Sequence, residues 1–143
     1  MLIAGAQGST HYDRVASINA LGSMGYLGAD AGPAVQVLLA SLANTNPIVK
    51  RATIFALGRL KLEPELVLPA LATNLNQADP RRRFEVVDMI KGFGPQQNNP
   101  ALPELLQALN DSNWGVRHEV TNALEKIAPE VLTNTRPPQA AKP

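Results

Sequence analysis

The chain contains no cysteine, which excludes disulfides, thiolate catalysis and cysteine-ligated zinc. Aromatic residues make up only 4% of it, which argues against a broad surface for stacking nucleic-acid bases. No apolar run approaches the roughly 18 residues that a membrane-spanning helix needs. The first residues, Met1 to Ala6, lack the basic segment of a signal peptide. We therefore expect a cytoplasmic protein without membrane contact.

Charge is also sparse. Charged residues account for 17% of the 143 residues, and 13 basic side chains nearly balance 12 acidic ones. An average domain has roughly 25% charged residues. A net charge of +1 gives no general attraction to nucleic acid or to an anionic membrane. The length suits one domain of ordinary size with a real core.

A repeat is the most informative feature that the chain does have. The basic residues Arg14, Lys50, Arg83 and Arg117 follow one another at intervals of 36, 33 and 34 residues. A period in this range is typical of stacked helical hairpins. We predict that these four side chains tie neighbouring turns together and take no part in catalysis.

Apolar residues recur in register with this basic column. The first helix of each predicted unit repeats the pairs Ala20-Leu21, Ala56-Leu57, Met89-Ile90 and Ala123-Leu124. Three positions later stand Met24, Leu60, Phe93 and Ile127, so that each unit has one helical apolar stripe. No strand-like alternation competes with this pattern. The sequence predicts an all-α fold.

Capping residues and helix breakers follow the same period. Asn46-Pro47 and Asp79-Pro80 each place a capping side chain before a proline at the first helical position. Thr10, with Asp13 three residues later, is similar to a capping box. Breaks between the paired helices are predicted at Gly25, Gly28, Gly32, Gly92, Gly94 and Pro95.

These columns resemble HEAT repeats, in particular the bacterial HEAT-like type associated with phycobilisome lyases. The residues that carry the resemblance are Val49-Lys50, Ala52, Ala56-Leu57-Gly58, Leu68-Pro69, Leu71, Val116-Arg117 and Ala123-Leu124. The resemblance covers roughly residues 11–132 and implies a right-handed α-solenoid of about three and a half to four helical hairpins. Its units would be approximately 11–45, 46–78, 79–112 and 113–132, within a domain of residues 1–132. A disordered, proline-rich tail is expected at 133–143.

The last two units depart from the family pattern. The small Ala16 and Ala52 are replaced by Glu85 and Glu119, and Gly22 and Gly58 by Lys91 and Glu125. We expect looser packing or an altered, exposed face in these units. The last unit also lacks a full second helix, and Met1 to Ala6 would be the remnant of a preceding one. The chain is then either a fragment of a longer solenoid or a protomer whose ends pair in an oligomer.

The candidate binding residues are Arg81, Arg82, Lys91 and Trp114. In the run from Arg81 to Arg83, the last residue belongs to the basic column, which leaves Arg81 and Arg82 for an anionic group or an acidic partner. Trp114 stands where other units have proline; it either contacts a partner or wedges between turns as part of the core. A metal centre is not expected, because the chain offers one His118-Glu119 pair and only His11 besides. An acid/base pair of Glu85 and Asp88 is not expected either, because with Lys91 they form a charged stripe.

The resemblance implies a non-catalytic scaffold that binds a protein or peptide through its curved helical surface, with no cofactor and no metal. In HEAT arrays the second helices generally line the concave face. Here that face would be polar and weakly charged, with Gln36, Ser41, Thr73, Asn74, Asn76, Gln107 and Asn110. One alternative is a subunit related to bilin lyases. Another is a nucleic-acid-binding HEAT-like protein, which we do not favour because positive charge is concentrated in one cluster.

Overall fold

The computed structural model describes residues 10–24 and 31–134, and all regular structure within these ranges is helical. The predicted all-α class is confirmed. In chain order the α-helices are α1 (His11–Ser23), α2 (Gly32–Ser41), α3 (Pro47–Leu60), α4 (Pro64–Ala72), α5 (Pro80–Gly92), α6 (Leu102–Ala108), α7 (Trp114–Ile127) and α8 (Pro129–Asn134). A 3₁₀ helix, Thr73–Asn76, directly follows α4. Within these ranges no helix is both long and apolar enough to cross a membrane.

The predicted caps form at the helix starts. Asn46 accepts hydrogen bonds from the backbone N–H groups of Ile48, at 2.9 Å, and Val49, at 3.4 Å. Asp79 accepts one from the N–H of Arg81 at 2.9 Å. Each cap satisfies backbone donors that have no partner inside the helix, and the proline that follows it fits the first helical position. These two signals therefore define where α3 and α5 begin.

The chain divides into two compact bodies, residues 1–67 (the N-terminal body) and residues 68–143 (the C-terminal body). In the N-terminal body, α1 and α2 both pack against α3. The stripe predicted from the repeat supplies the core, because Leu21 and Leu57 are almost completely buried. Further buried residues of this body are Ile18, Ala34, Val35, Leu38, Val49, Ile54, Ala56, Leu60 and Val67.

The C-terminal body is organised around α7. Helices α5, α6 and α8 pack against α7, and the 3₁₀ helix packs against α5 and α6. The same columns of the repeat are buried here, for example Ile90 in α5 and Leu124 in α7. Other core residues are Leu68, Leu71, Val86, Val87, Leu105, Val116, Val120, Ala123 and Ile127. The periodic apolar pattern thus identifies the core in both bodies.

Gly22 allows α1 to lie unusually close to α3. A Cβ atom added at Gly22 would lie 2.8 Å from both the Cα and the Cβ atoms of Ala56. Real Cβ atoms do not approach other carbons so closely, and one of the two contacts is with backbone. The family's small residue at this column therefore has a packing role in the N-terminal body.

Replacing Gly22 by alanine is expected to destabilise the protein, although alanine is the better helix former. The higher helix propensity of alanine stabilises α1 by about 1 kcal/mol. Forcing the two packed helices apart costs about 1–3 kcal/mol. We expect a net loss of about 1 kcal/mol or more in the free energy of unfolding, measured by urea denaturation. Asn19→Ala on the exposed side of α1 is the matched control, and equal stability of the two variants would contradict the tight approach.

The ends of the chain differ in part from the sequence expectation. A short helix, α8, follows α7 and packs against it, so the last unit has a brief second helix. Residues 133 and 134 of the predicted tail belong to α8, and residues 135–143 lie outside the described residues. The same holds for Met1 to Ala6 and for two of the predicted helix breakers, Gly25 and Gly28, which also lie outside the described residues. Gly32 begins α2, and Gly94 adopts φ +71° after α5, as a turn requires. The handedness and the repeat borders stay predictions.

Candidate functional site

Arg83, of the basic column, binds two segments of the C-terminal body at once. Its Nε and Nη2 atoms donate to the two carboxylate oxygens of Asp111 at 2.7 and 2.8 Å. Its Nη1 atom donates to the carbonyl oxygens of Gln77 and Ala78 at 2.7 and 2.9 Å. Only 12% of the Arg83 side chain and 9% of the Asp111 side chain are exposed. The predicted tying role is confirmed for Arg83.

The charge state of Asp111 is set by this pair. Burial acts to raise the pKa of Asp111, but the hydrogen bonds from Arg83 and the backbone N–H of Asn113, with the positive charge of Arg117, outweigh it and lower the pKa. The pKa of Arg83 is raised, chiefly by its hydrogen bond with Asp111. The carboxylate is therefore ionised and held in place, and it is a structural group.

Arg117 repeats part of this pattern one unit later. Its Nη1 atom donates to the carbonyl oxygens of Asp111, at 2.7 Å, and Ser112, at 3.1 Å. The acceptors lie six and five residues before the arginine, as they do for Arg83. The column therefore fixes the turn before each first helix in the C-terminal body. For Arg14 and Lys50 the same role stays a prediction.

Lys91 and Glu119, two charged departures from the family pattern, form an ion pair between α5 and α7. Only 7% of the Glu119 side chain is exposed, and Lys91 also lies 3.0 Å from Asp88. The hydrogen bond with Glu119 is the largest cause of the raised pKa of Lys91, with burial opposing it. The expectation of an exposed face is wrong for Glu119, because the pair turns two charges toward each other between packed helices.

Arg81 and Arg82 differ in what they contact. Arg82 lies 3.3 Å from Glu85 on its own helix and 3.9 Å from Asp79, the N-cap of that helix. Arg81 is exposed, and its guanidinium makes no hydrogen bond or ion pair within residues 10–24 and 31–134. Lys91 has its ammonium engaged with two carboxylates. Of the predicted cationic candidates, Arg81 is thus the one whose charge is available to a partner.

Arg81 lines a cleft of about 350 Å³ in the C-terminal body, together with Asp79, Pro80, Phe84 and Asn113. Phe84 follows Arg81 by one helical turn and keeps 40% of its surface exposed. Sequence reasoning missed Phe84. The available signal was its position, since it lies off the apolar stripe of α5 formed by Val86 and Ile90.

Trp114 is the first residue of α7, directly after the cleft residue Asn113. Its ring stacks on the ring of His118, with centroids 5.3 Å apart and planes 9° from parallel. The indole is half-buried, whereas His118 is exposed. The structure thus gives Trp114 a neighbour on its own helix and leaves part of its ring at the surface.

A second groove, of about 420 Å³, lies between the 3₁₀ helix and α6. It brings together four of the neutral residues predicted for the second-helix face: Thr73, Asn76, Gln107 and Asn110. Glu104 and Asp111 also line it, and Asp111 is held by Arg83. Ala72, Leu75 and Ala108 add apolar surface to the groove, and the predicted polar concave face stays a prediction. No three His, Asp or Glu side chains in the described ranges are placed to hold a metal ion.

A third groove, of about 390 Å³, lies between α1 and α3 in the N-terminal body. Ile48, Arg51, Phe55 and Arg59 line it from α3. These residues lie outside the columns of the repeat and are not among the candidate binding residues. Their spacing of three and four positions along one helix is a signal that could have found them, because it places them on one face away from the buried Leu57.

Comparison with known proteins adds one match. The family model of HEAT repeats matches residues 68–141, slightly more than half of the 143-residue chain. The matched range begins where the C-terminal body begins and contains the cleft at Arg81 and the groove along α6. No curated protein matches the chain.

Proposed function

The chain belongs to the HEAT-repeat family, and we propose that it is a non-catalytic protein-binding module that uses the cleft at Arg81 and Phe84. HEAT repeats are generally protein-interaction scaffolds and are typically not enzymes. The proposal follows from this general property and from the side chains that the C-terminal body leaves available to a partner.

One observation carries the proposal: an exposed aromatic side chain stands one helical turn from an unpaired guanidinium. Phe84 has 40% of its surface exposed, and Arg81 has no partner within the described ranges. Aromatic residues and arginine are enriched at protein interfaces because they bury a large area and form directed hydrogen bonds. Such a pair suits a partner segment with an apolar side chain next to a carboxylate.

The contacts around the cleft support binding without catalysis. Asp79 caps α5 through the N–H of Arg81, and Asn113 caps α7 through the N–H of Val116 at 3.2 Å. Both polar side chains at the cleft are thus engaged in holding helix starts, which gives the cleft a rigid rim. Arg81 and Phe84 are then the groups that can make new contacts.

The test is quantitative recovery of partners from the source cells with the wild-type chain and with an Arg81→Ser/Phe84→Ser variant. We expect a protein partner whose affinity for the variant, measured with both proteins purified, is lower by about 30-fold or more, as loss of a hot spot implies. Tyr12→Ser is the control, since Tyr12 is 90% exposed and lies in the N-terminal body.

Two outcomes would contradict the proposal. One is that every recovered protein binds wild type and variant equally. The other is a measured catalytic activity with no protein partner. Urea denaturation of the variant must show unchanged stability, because both replaced side chains are at the surface.

The finer points of the family resemblance remain part of the proposal. A cytoplasmic location agrees with the absence of cysteine, and self-association through the chain ends is tested by solution mass from light scattering. The relation to phycobilisome lyases stays a prediction. An absorbance shift on adding bilin would support it.

A further inference from the structure

The groove of about 420 Å³ along α6 contains an acidic side chain whose hydrogen bonding is incomplete. Glu104 is half-buried, and its Oε2 atom is shielded from solvent without a hydrogen-bond partner in residues 10–24 and 31–134. A shielded polar atom without a partner is unfavourable and rare in folded proteins. Glu104 therefore lacks a donor that a bound group can supply.

The other acidic side chain of this groove already has its partner. Asp111 accepts hydrogen bonds from the Nε and Nη2 atoms of Arg83 at 2.7 and 2.8 Å. No lysine or arginine lines the groove itself. Within the part of the chain that the structure describes, Glu104 is thus the acidic group of the groove that has no cationic partner.

Two helix ends add partial negative charge to the same groove. One wall is formed by the end of α4 and the 3₁₀ helix that directly follows it, and the other by α6 and the two residues Asn110 and Asp111 beyond its end. Carbonyl groups at the end of a helix carry partial negative charge and favour a cation. The last turns of α4, the 3₁₀ helix and α6 contain no basic residue. The helix ends and Glu104 thus favour the same kind of ligand group.

The other side chains of the groove suit a cation on an apolar stem that is attached to a peptide backbone. Three apolar residues line it: Ala72, Leu75 and Ala108. Three exposed amide side chains also line it and make no hydrogen bond within the described ranges: Asn76, Gln107 and Asn110. Each amide can donate to a carbonyl oxygen and accept from an N–H group, which are the two polar groups of a peptide bond.

We propose that the groove along α6 binds a lysine side chain from an extended segment of a partner protein. The ammonium group donates to the carboxyl group of Glu104, whose last torsion has broad preferences, so that Oε2 can turn toward the donor. The methylene groups of the lysine cover the apolar residues of the groove. The free amides bind the backbone on either side of the lysine. A small amine without peptide groups would leave these amides without partners, so a protein segment is the better fit.

This groove shares no residue with the cleft at Arg81. The inference rests on the proposed function only in that the chain binds protein. Each surface is tested by its own variants, so that failure of one leaves the other standing.

The test uses the full chain, labelled with ¹⁵N, and a capped seven-residue peptide with a central lysine between serines. A matched peptide has norleucine in place of lysine, which keeps the apolar stem and removes the ammonium group. Changes in the NMR shifts of backbone amides in residues 104–111 measure binding as peptide is added. We expect the lysine peptide to bind about tenfold more tightly than the norleucine peptide and to bind more weakly as salt is added.

Variants of the chain assign the binding to Glu104 and to the amides. Glu104→Gln keeps the size of the side chain and is expected to weaken binding of the lysine peptide by about tenfold. Gln107→Ala, at an exposed position, should weaken binding of the peptide and leave binding of butylamine unchanged. Glu125→Gln is the matched control, since it removes an exposed carboxyl group outside the groove. Arg81→Ser/Phe84→Ser is expected to leave peptide binding unchanged.

Three results would overturn the proposal. The first is that the lysine peptide changes no shift in residues 104–111. The second is equal binding of the lysine and norleucine peptides, or binding that Glu104→Gln leaves intact in a variant whose spectrum outside the groove shows it to be folded. The third is that butylamine binds as tightly as the lysine peptide and that Gln107→Ala weakens neither, which would assign the groove to a small amine.

Discussion

Replacing Asp111 by alanine is expected to lower the free energy of unfolding by about 3–5 kcal/mol, because it leaves the guanidinium of Arg83 buried without its carboxylate. Only 12% of the Arg83 side chain and 9% of the Asp111 side chain are exposed. Water therefore cannot replace the lost carboxylate well. The backbone N–H of Asn113, which donates to Asp111 at 2.8 Å, loses its acceptor as well. Since a domain has about 5–15 kcal/mol of stability in total, much of it would be lost. Urea denaturation followed by circular dichroism measures the change.

Two controls separate the buried pair from ordinary surface charge. Asp111→Asn keeps an oxygen for Arg83 or for Asn113 and is expected to cost less than alanine. Asp88→Ala removes a carboxylate that is 46% exposed and lies 3.0 Å from Lys91, and it should cost about 1 kcal/mol or less. Equal losses for Asp88→Ala and Asp111→Ala would show that the pair has no special weight.

The stability difference between wild type and Asp111→Ala is expected to depend on pH. The folded pKa of Asp111 is lowered relative to the unfolded chain, so its contribution is complete above the unfolded pKa and is lost as pH falls through the folded one. The difference in stability between wild type and Asp111→Ala should therefore be constant near neutral pH and shrink below about pH 4. A difference that stays constant throughout the acid range would contradict the lowered pKa.

The sequence predicts the fold well wherever the determining signal is local. Asn46 and Asp79 cap α3 and α5 because a side chain reaches N–H groups two or three residues away. The apolar columns identify Leu57 and Leu124 as core because a helical stripe must be covered. The basic column predicts the tying role of Arg83, whose carbonyl acceptors are likewise only five and six residues away.

The same reasoning fails where a side chain's partner lies far away in the sequence. Asp111, 28 residues after Arg83, was not identifiable as its partner among the acidic residues of the next turns. Phe84 lies off the apolar stripe, and whether such a residue is covered depends on how closely α5 and the start of α7 approach. The groove along α3 depends in the same way on the separation of α1 and α3. These features are set by packing, so they needed the structure.

The departures at Lys91 and Glu119 show how packing changes the meaning of a substitution. In the repeat, Lys91 stands at the column of Gly22 and Glu119 at the column of Ala52. In the N-terminal body this Gly22 column gives the close approach of α1 to Ala56 on α3. In the C-terminal body Lys91, at the column of Gly22, instead forms an ion pair with Glu119 between α5 and α7. The same column thus joins consecutive first helices by a close approach in one body and by an ion pair in the other.

A double-mutant cycle at Lys91 and Glu119 tests this interpretation. Lys91→Met leaves the carboxylate of Glu119, 7% exposed, without its nearest cation, and is expected to cost about 3 kcal/mol or more in the free energy of unfolding. Glu119→Ala leaves Lys91 the more exposed Asp88 and is expected to cost less, since the ammonium retains that carboxylate and some water.

The double variant Lys91→Met/Glu119→Ala should be more stable than the sum of the single losses predicts, by about 1–3 kcal/mol of coupling energy. The four proteins are compared by urea denaturation at neutral pH. Asp88→Ala/Glu119→Ala, which removes both carboxylates and strands the ammonium, should in contrast be less stable than Glu119→Ala alone. Additive losses throughout would mean that α5 and α7 hold their positions through apolar packing and that the charged pair only fills the space between them.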